Sequence, residues 1–217
     1  NESIIGIYAG DKIVEFKLKD NKLKNIVLNE DELYYNDAVY IESPIVLHIH
    51  HAIKYSDVSF GLSKRKFYRG GIVPFHLKDL IGKLEISKNI ALPDIYGEEE
   101  PKNPMQELYD EIYNIINGEI IYSDGSADFE YVKNINNKKC SIRSINTATG
   151  IKSFGIIQLL IKSGILTDST VLIIDEPEVH LHPEWQLKYA HIMVKLVKYG
   201  IPVVISSHSP YMIQALR

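Results

Sequence analysis

Two continuous apolar runs, each ending abruptly in polar residues, dominate the pattern of this chain. Residues 171–174 (Val, Leu, Ile, Ile) lead straight into Asp175 and Glu176, and residues 203–205 lead into Ser206, Ser207, His208 and Ser209. A short apolar run ending in acids predicts a strand buried on both faces, its carboxyl end open to solvent. One helix length separates the two runs. It starts at Pro183, whose fixed φ suits a first helical turn. It presents Trp185, Tyr189, Ile192, Met193, Leu196 and Val197 on one face and stops at Gly200 and Pro202. The prediction is a β-α-β unit with two acids at one strand tip and a histidine at the next. In open parallel sheets the carboxyl ends of strands are where ligands bind.

Upstream the periodicity changes. Residues 1–35 alternate apolar and charged positions between turns at 9–12 and 20–21, which predicts antiparallel hairpins. Residues 36–118 read as a mixed, partly helical insertion. Pro44 starts a new element, residues 45–55 fit a helix or a strand, and residues 77–84 fit a helix. Residues 71–104 carry Pro74, Pro93, Pro101 and the acidic residues 98–100 after Gly70-Gly71, and the end of this stretch reads as an exposed linker. Pro104 opens a helix striped by Leu108, Ile112, Ile115 and Ile116, which Asn117-Gly118 ends. Three strands are predicted at 119–122, 129–132 and 140–145. Residues 146–164 form a helix, apolar over much of its surface, with Gly164 as its stop. The start of that helix gathers Thr147, Thr149, Gly150, Lys152 and Ser153. Free backbone N–H groups and a partial positive charge at a helix start suit a phosphate, and an ordinary N-cap is the plainer alternative.

Composition narrows the classes. Hydrophobic residues are 45% and charged residues 24% of 217, an ordinary globular balance. The net charge of -4 argues against a generally basic nucleic-acid-binding surface. Lys64, Arg65, Lys66 and Arg69, with Phe67 and Tyr68 between them, are the best local candidate for such contact, and a solvated loop is the alternative. The single Cys140 allows no intrachain disulfide and suits a reducing cytoplasm. No apolar run reaches the roughly 20 residues that a membrane helix needs. If residues 45–55 were a strand, His48 and His50 would share a face and could bind a metal, but no third ligand is evident. His180 and His182 flank Leu181 and fit either a metal pair or a turn that meets a partner subunit.

The strand tips then read as chemistry. An apolar strand ending in Asp-Glu has the shape of a Walker B site. Asp175 would hold Mg²⁺ through water, because Mg²⁺ keeps most of its waters. Glu176 would orient or deprotonate the water that attacks a γ-phosphate. His208 would hydrogen-bond that phosphate and sense its loss. An acidic turn beside a surface histidine is the structural alternative. The Pro177 turn, the helix start at Pro183 and the Ser-Ser-His-Ser run favour the catalytic reading.

The run DEPEVHLHPEWQ followed by ISSHSPYMI resembles the ATP-binding-cassette-like ATPases of the SMC/RecF/OLD type, bacterial AAA-family ATP-binding proteins outside the transporters. The resemblance is specific over residues 146–217 and only general over 1–145. It implies an α/β P-loop NTPase fold of the ABC-like kind, a mainly parallel sheet flanked by helices. An antiparallel β portion and the helical insertion would be added to it. Residues 119–217 would hold the signature, Walker B and switch-histidine core. The resemblance implies ATP and Mg²⁺ as ligands, and the single cysteine fits the expected cytoplasmic location. It makes Asp175 and Glu176 the Walker B pair, residues 178–183 the D-loop region and His208 the switch histidine. Thr149, Gly150 and Lys152 become the signature region, facing the γ-phosphate bound by the other subunit of a head-to-tail homodimer. DNA, a nuclease or another effector, in repair or phage defence, is the implied partner.

Two departures qualify the resemblance. No G-x-x-x-x-G-K-[ST] loop occurs, although that loop supplies most of a phosphate cradle. In the family it precedes a segment like residues 1–28, so these residues are expected to lack the first portion of the domain and to bind ATP weakly or not at all alone. The signature region reads TATGIK and not the transporters' LSGGQ, which argues against a transporter subunit. Two other classes compete: a non-hydrolytic ATP-sensing scaffold, and a metal nuclease built on His48, His50 and the acids.

Overall fold

The computed structural model describes residues 2–9, 12–19, 22–28, 35–56, 73–87, 103–136 and 138–217, with backbone alone for 2–28 and 54–56. The basic cluster at 64–69 and the linker around 93–101 lie outside the described residues. The chain divides into two compact units, residues 1–36 and 37–217.

The first unit is the expected antiparallel meander. It comprises β1 (Glu2–Ala9), β2 (Lys12–Lys19) and β3 (Lys22–Leu28), in that order across the sheet. Ile5 pairs with Phe16 and Phe16 with Ile26, while Ile7 pairs with Val14 and Val14 with Leu28, so the register gathers apolar residues of all three strands on one face. A register shift falls between Lys17 and Leu18.

The second unit opens with β4 (Asp37–Ile41). A short 3-10 helix, Pro44–Leu47, follows, capped by the Ser43 hydroxyl, which accepts from the Ile45 N–H at 3.3 Å. Then come α1 (His50–Ser56), α2 (Phe75–Ile86) and α3 (Pro104–Ile116). Asn103 caps α3 by accepting from the Met105 N–H at 3.0 Å, and Asn117 ends it in the left-handed region at φ 53°. A second sheet follows, antiparallel in the order β5 (Glu119–Ser123), β6 (Asp128–Ile135), β7 (Lys138–Arg143). Then α4 (Thr149–Lys162) leads into β8 (Thr170–Asp175), α5 (Pro183–Lys198), β9 (Val203–Ser206) and α6 (Pro210–Ala215).

The central sheet is parallel, in the order β4-β8-β9. Residues 37–41 fell in the stretch read from sequence as an insertion, yet they form an outer strand of this sheet. Five residues carry too short a pattern to declare their partner, which lies far along the chain.

The sheet is not buried on both faces as the apolar run predicted. Register puts Val39, Ile41, Leu172 and Ile174 on one face, all buried. It puts Tyr40, Val171, Ile173 and Val204 on the other, where Val204 is 55% exposed and the rest half-buried. Among the described residues, one side of the sheet is therefore covered more fully than the other. Asp175 and Ser206, which pair across β8 and β9, belong to the less covered face.

At the centre of the core, every α4 residue from Lys152 to Ile161 is buried. Phe154 meets Trp185 and Tyr189 of α5 edge-on, with ring centroids 5.5 and 5.1 Å apart. The apolar face of α5 is as expected except at Val197, which is 54% exposed. Among the described residues no helix is long and apolar enough to cross a membrane.

Candidate functional site

The carboxyl ends of β8 and β9 bring the predicted acids and histidine together. Asp175 ends β8 beside Ser206, which ends β9. The Ser206 hydroxyl donates to Asp175 Oδ1. The Glu176 N–H is shared by the Ser206 carbonyl and hydroxyl, both at 3.1 Å. Glu176 itself sits at φ 41°, a left-handed conformation that a side-chain-bearing residue adopts at a cost and that clusters at functional sites. This turn brings its carboxylate to the neighbouring strand tip. His208 Nε2 lies 3.2 Å from Glu176 Oε1, and the two side chains are 88% and 44% exposed. Both groups are thus open to a ligand from solvent.

A third acid holds this arrangement, and sequence reasoning placed it only within a loop region. Glu178 Oε1 accepts from the Ser207 hydroxyl at 2.8 Å, the His208 N–H at 2.6 Å and the Ser209 N–H at 3.0 Å. Burial works against its charge, but these donors outweigh burial and hold the carboxyl below its ordinary range. Its Oε2 is buried with no hydrogen-bond partner among the described residues. The signal in the sequence was the third acid of Asp-Glu-Pro-Glu, which did not by itself reveal a target 30 residues away.

Tyr40 is a further unpredicted neighbour. Its hydroxyl is raised above its ordinary value by burial first, then by the charges of Asp175 and Glu42 and a hydrogen bond with Asp175. Its position follows from β4 pairing with β8, which sequence did not show. Asp175 is exposed and offers hard carboxylate oxygen at a strand tip, the donor that Mg²⁺ takes. Asp175 and Glu176 therefore fit a hydrated Mg²⁺ ion.

The predicted signature residues divide. Thr149 and Gly150 are half-buried at the start of α4. Leu181 and Trp185 crowd Gly150, and a Cβ there would meet them at 3.2 Å. Lys152 was expected to present its ammonium to a phosphate, but it is fully buried against His48 Nε2. The fourth position of α4 turns toward the core, where burial pushes the amine down to about 8. His48 is lowered by burial first and by Lys152 second.

His48 and His50 share no strand: they stand at the junction of the 3-10 helix with α1, and His48 is engaged with Lys152. His180 and His182 are exposed, and His182 Nδ1 caps α5 by accepting from the Glu184 N–H at 3.4 Å.

Residues 141–214 match the family described as "AAA domain, putative AbiEii toxin, Type IV TA system". Over 48 residues the chain is 42% identical to "Septu protein PtuA" of Bacillus thuringiensis, a stretch covering 21% of this chain and 11% of that protein. Among solved structures it is similar to the Smc head domain of Pyrococcus furiosus, solved with an extended coiled coil and bound to the C-terminal domain of ScpA. That likeness has a TM-score of 0.37 and 15% identity, over 52% of this chain and 30% of the other. The matches thus span well under half of either relative's length.

Proposed function

We propose, from the AAA-family segment that residues 141–214 constitute, that this chain carries one half of a Mg²⁺-dependent ATP-hydrolysing site. The observation that supports this best is the 3.2 Å approach of His208 to Glu176 beside the exposed Asp175. Asp175 would hold Mg²⁺, and the ion would supply positive charge to the phosphates. Glu176 orients the attacking water and takes its proton as ATP becomes ADP and phosphate. His208 hydrogen-bonds the γ-phosphate and senses its loss. Glu178 is a positioning residue, because it acts through the backbone of the His208 loop.

The other half of the site comes from a second copy. Thr149 and Gly150, at the start of α4, face the nucleotide held by the partner in a head-to-tail homodimer. Lys152 supports that surface from inside. Closure and reopening of the dimer drive a DNA, nuclease or effector partner in the cytoplasm, in repair or phage defence. The resemblance of the strand-tip motifs supports this use, and the single cysteine is compatible with the location.

Glu176→Gln in the full-length protein tests the reading. Steady-state turnover is expected to fall at least about 100-fold, while ATP binding, measured calorimetrically, persists. Wild-type full-length protein that binds ATP without turnover would support a sensing scaffold instead. Turnover unchanged in Glu176→Gln would remove Glu176 from the role of base.

A further inference from the structure

We propose that His50, His51 and Asp128 form a binding site for a divalent transition-metal ion of the zinc class, apart from the strand-tip acids. The three residues come from the start of α1 and the start of β6, and one donor atom from each lies within 4.8 Å of the others. Asp128 Oδ1 is 3.6 Å from His50 Nδ1, and Asp128 Oδ2 is 3.5 Å from His51 Nε2. Both distances are too long for hydrogen bonds. With metal–ligand bonds of about 2.0–2.1 Å, tetrahedral donors stand roughly 3.4 Å apart, which is close to the two histidine–carboxylate distances.

A second observation points to a ligand. His50 is fully buried, and its Nδ1 has no hydrogen-bond partner among the described residues. Its other nitrogen, Nε2, is 2.7 Å from Glu85 Oε1. An ionised carboxylate only accepts, so Nε2 carries the proton that it donates to Glu85. In the neutral ring Nδ1 is then a bare lone pair, facing the carboxylate of Asp128. Two such lone pairs repel unless a proton or a metal cation lies between them, and at 3.6 Å the gap is too long for a proton to bridge well. A histidine that donates one N–H to a carboxylate while its other nitrogen binds metal is the usual arrangement around such ions.

The surroundings fit the same ion. Two imidazoles and one carboxylate are borderline donors that suit zinc-class ions better than Mg²⁺ or Ca²⁺. The His50 ring meets Phe129 and Tyr122 edge-on, at 5.0 and 5.9 Å, so the inner wall is aromatic. The side chain of His51 is 45% exposed, which gives the ion an entry and leaves room for water as a fourth ligand. The bound ion ties α1 to β6 and, through Glu85, to α2.

Metal-stripped full-length protein, titrated with Zn²⁺ in a calorimeter and with Co²⁺ by visible absorption, tests the site. About one tight equivalent per chain is expected, with the intense visible bands of low-symmetry, nitrogen-ligated Co²⁺. His51→Ala, at a half-exposed position that should not disturb folding, removes this binding, and so does Asp128→Asn. Glu85→Ala weakens it about 10–100-fold. Asp175→Asn leaves it intact, which separates this site from the strand tips. No stoichiometric binding by wild type, or binding that survives His51→Ala and Asp128→Asn, would overturn the proposal and leave a buried histidine–carboxylate cluster.

Discussion

Glu178 is the residue on which the His208 loop hangs. One of its oxygens serves three donors, two of them backbone N–H groups of the loop after β9. Glu178→Ala leaves those donors to find water or go unpaired, at a cost of about 2–3 kcal/mol, and should reduce turnover by displacing His208. Urea denaturation and a steady-state assay check the two effects. The folded carboxyl titrates below its ordinary value. Its contribution is therefore complete above the unfolded value, about 4.3, and is lost as pH falls through the folded one. The stability gap between wild type and Glu178→Gln should accordingly narrow from pH 7 toward pH 3. Lys152 has the opposite sign. Burial pushes it down to about 8 from 10.5, so the unfolded state holds more protons between those values and stability rises with pH there. Lys152→Met should stabilise the fold at pH 7 by about 1–2 kcal/mol. The lost partner of His48 offsets part of this gain, which should shrink toward pH 10 in denaturation midpoints.

At the scale of elements, a tight seam joins α4 to β5. A Cβ on Gly155 would stand 2.4 Å from Ile120 Cδ1 and 2.5 Å from its Cγ1. Gly155→Ala should destabilise the second unit by about 1–3 kcal/mol through overpacking, read as a lower thermal midpoint. Ile120→Val in the same chain should recover part of the loss by making room. Elements with strong local punctuation were legible in the sequence. Pro183, Gly200 and Pro202 framed α5, Pro104 and Asn117 framed α3, and the strands of the second sheet lie within three residues of their predicted bounds. Residues 45–55 stayed ambiguous because neighbouring histidines satisfy neither a period of two nor one of 3.6 cleanly. Their folding as a 3-10 helix and α1 places His50 against β6, a contact that no local pattern announces. The strand-tip acids and His208 were legible because strand ends are fixed by sequence neighbours. The targets of Glu178, Lys152 and Tyr40 were not, because each is reached across the fold.

For the whole molecule, the proposed dimer makes its own prediction. Full-length Glu176→Gln mixed with Mg-ATP should accumulate as a dimer in light scattering, since ATP closes the site and the missing base keeps it closed. With Mg-ADP it should remain largely monomeric. The same mass in both nucleotides would argue against closure by ATP.

The central sheet also sets a timetable for biosynthesis. Asp37 pairs with Thr170 and Ile41 with Ile174, so β4 and its partner strand β8 are 133 residues apart. A ribosome adds about 5–20 residues each second, and β4 therefore emerges on the order of ten seconds before the strand that pairs with it. During that interval Val39, Tyr40 and Ile41 lack the β8 strand with which they pair. The nascent chain must shelter them, or a chaperone must, until β8 has been made.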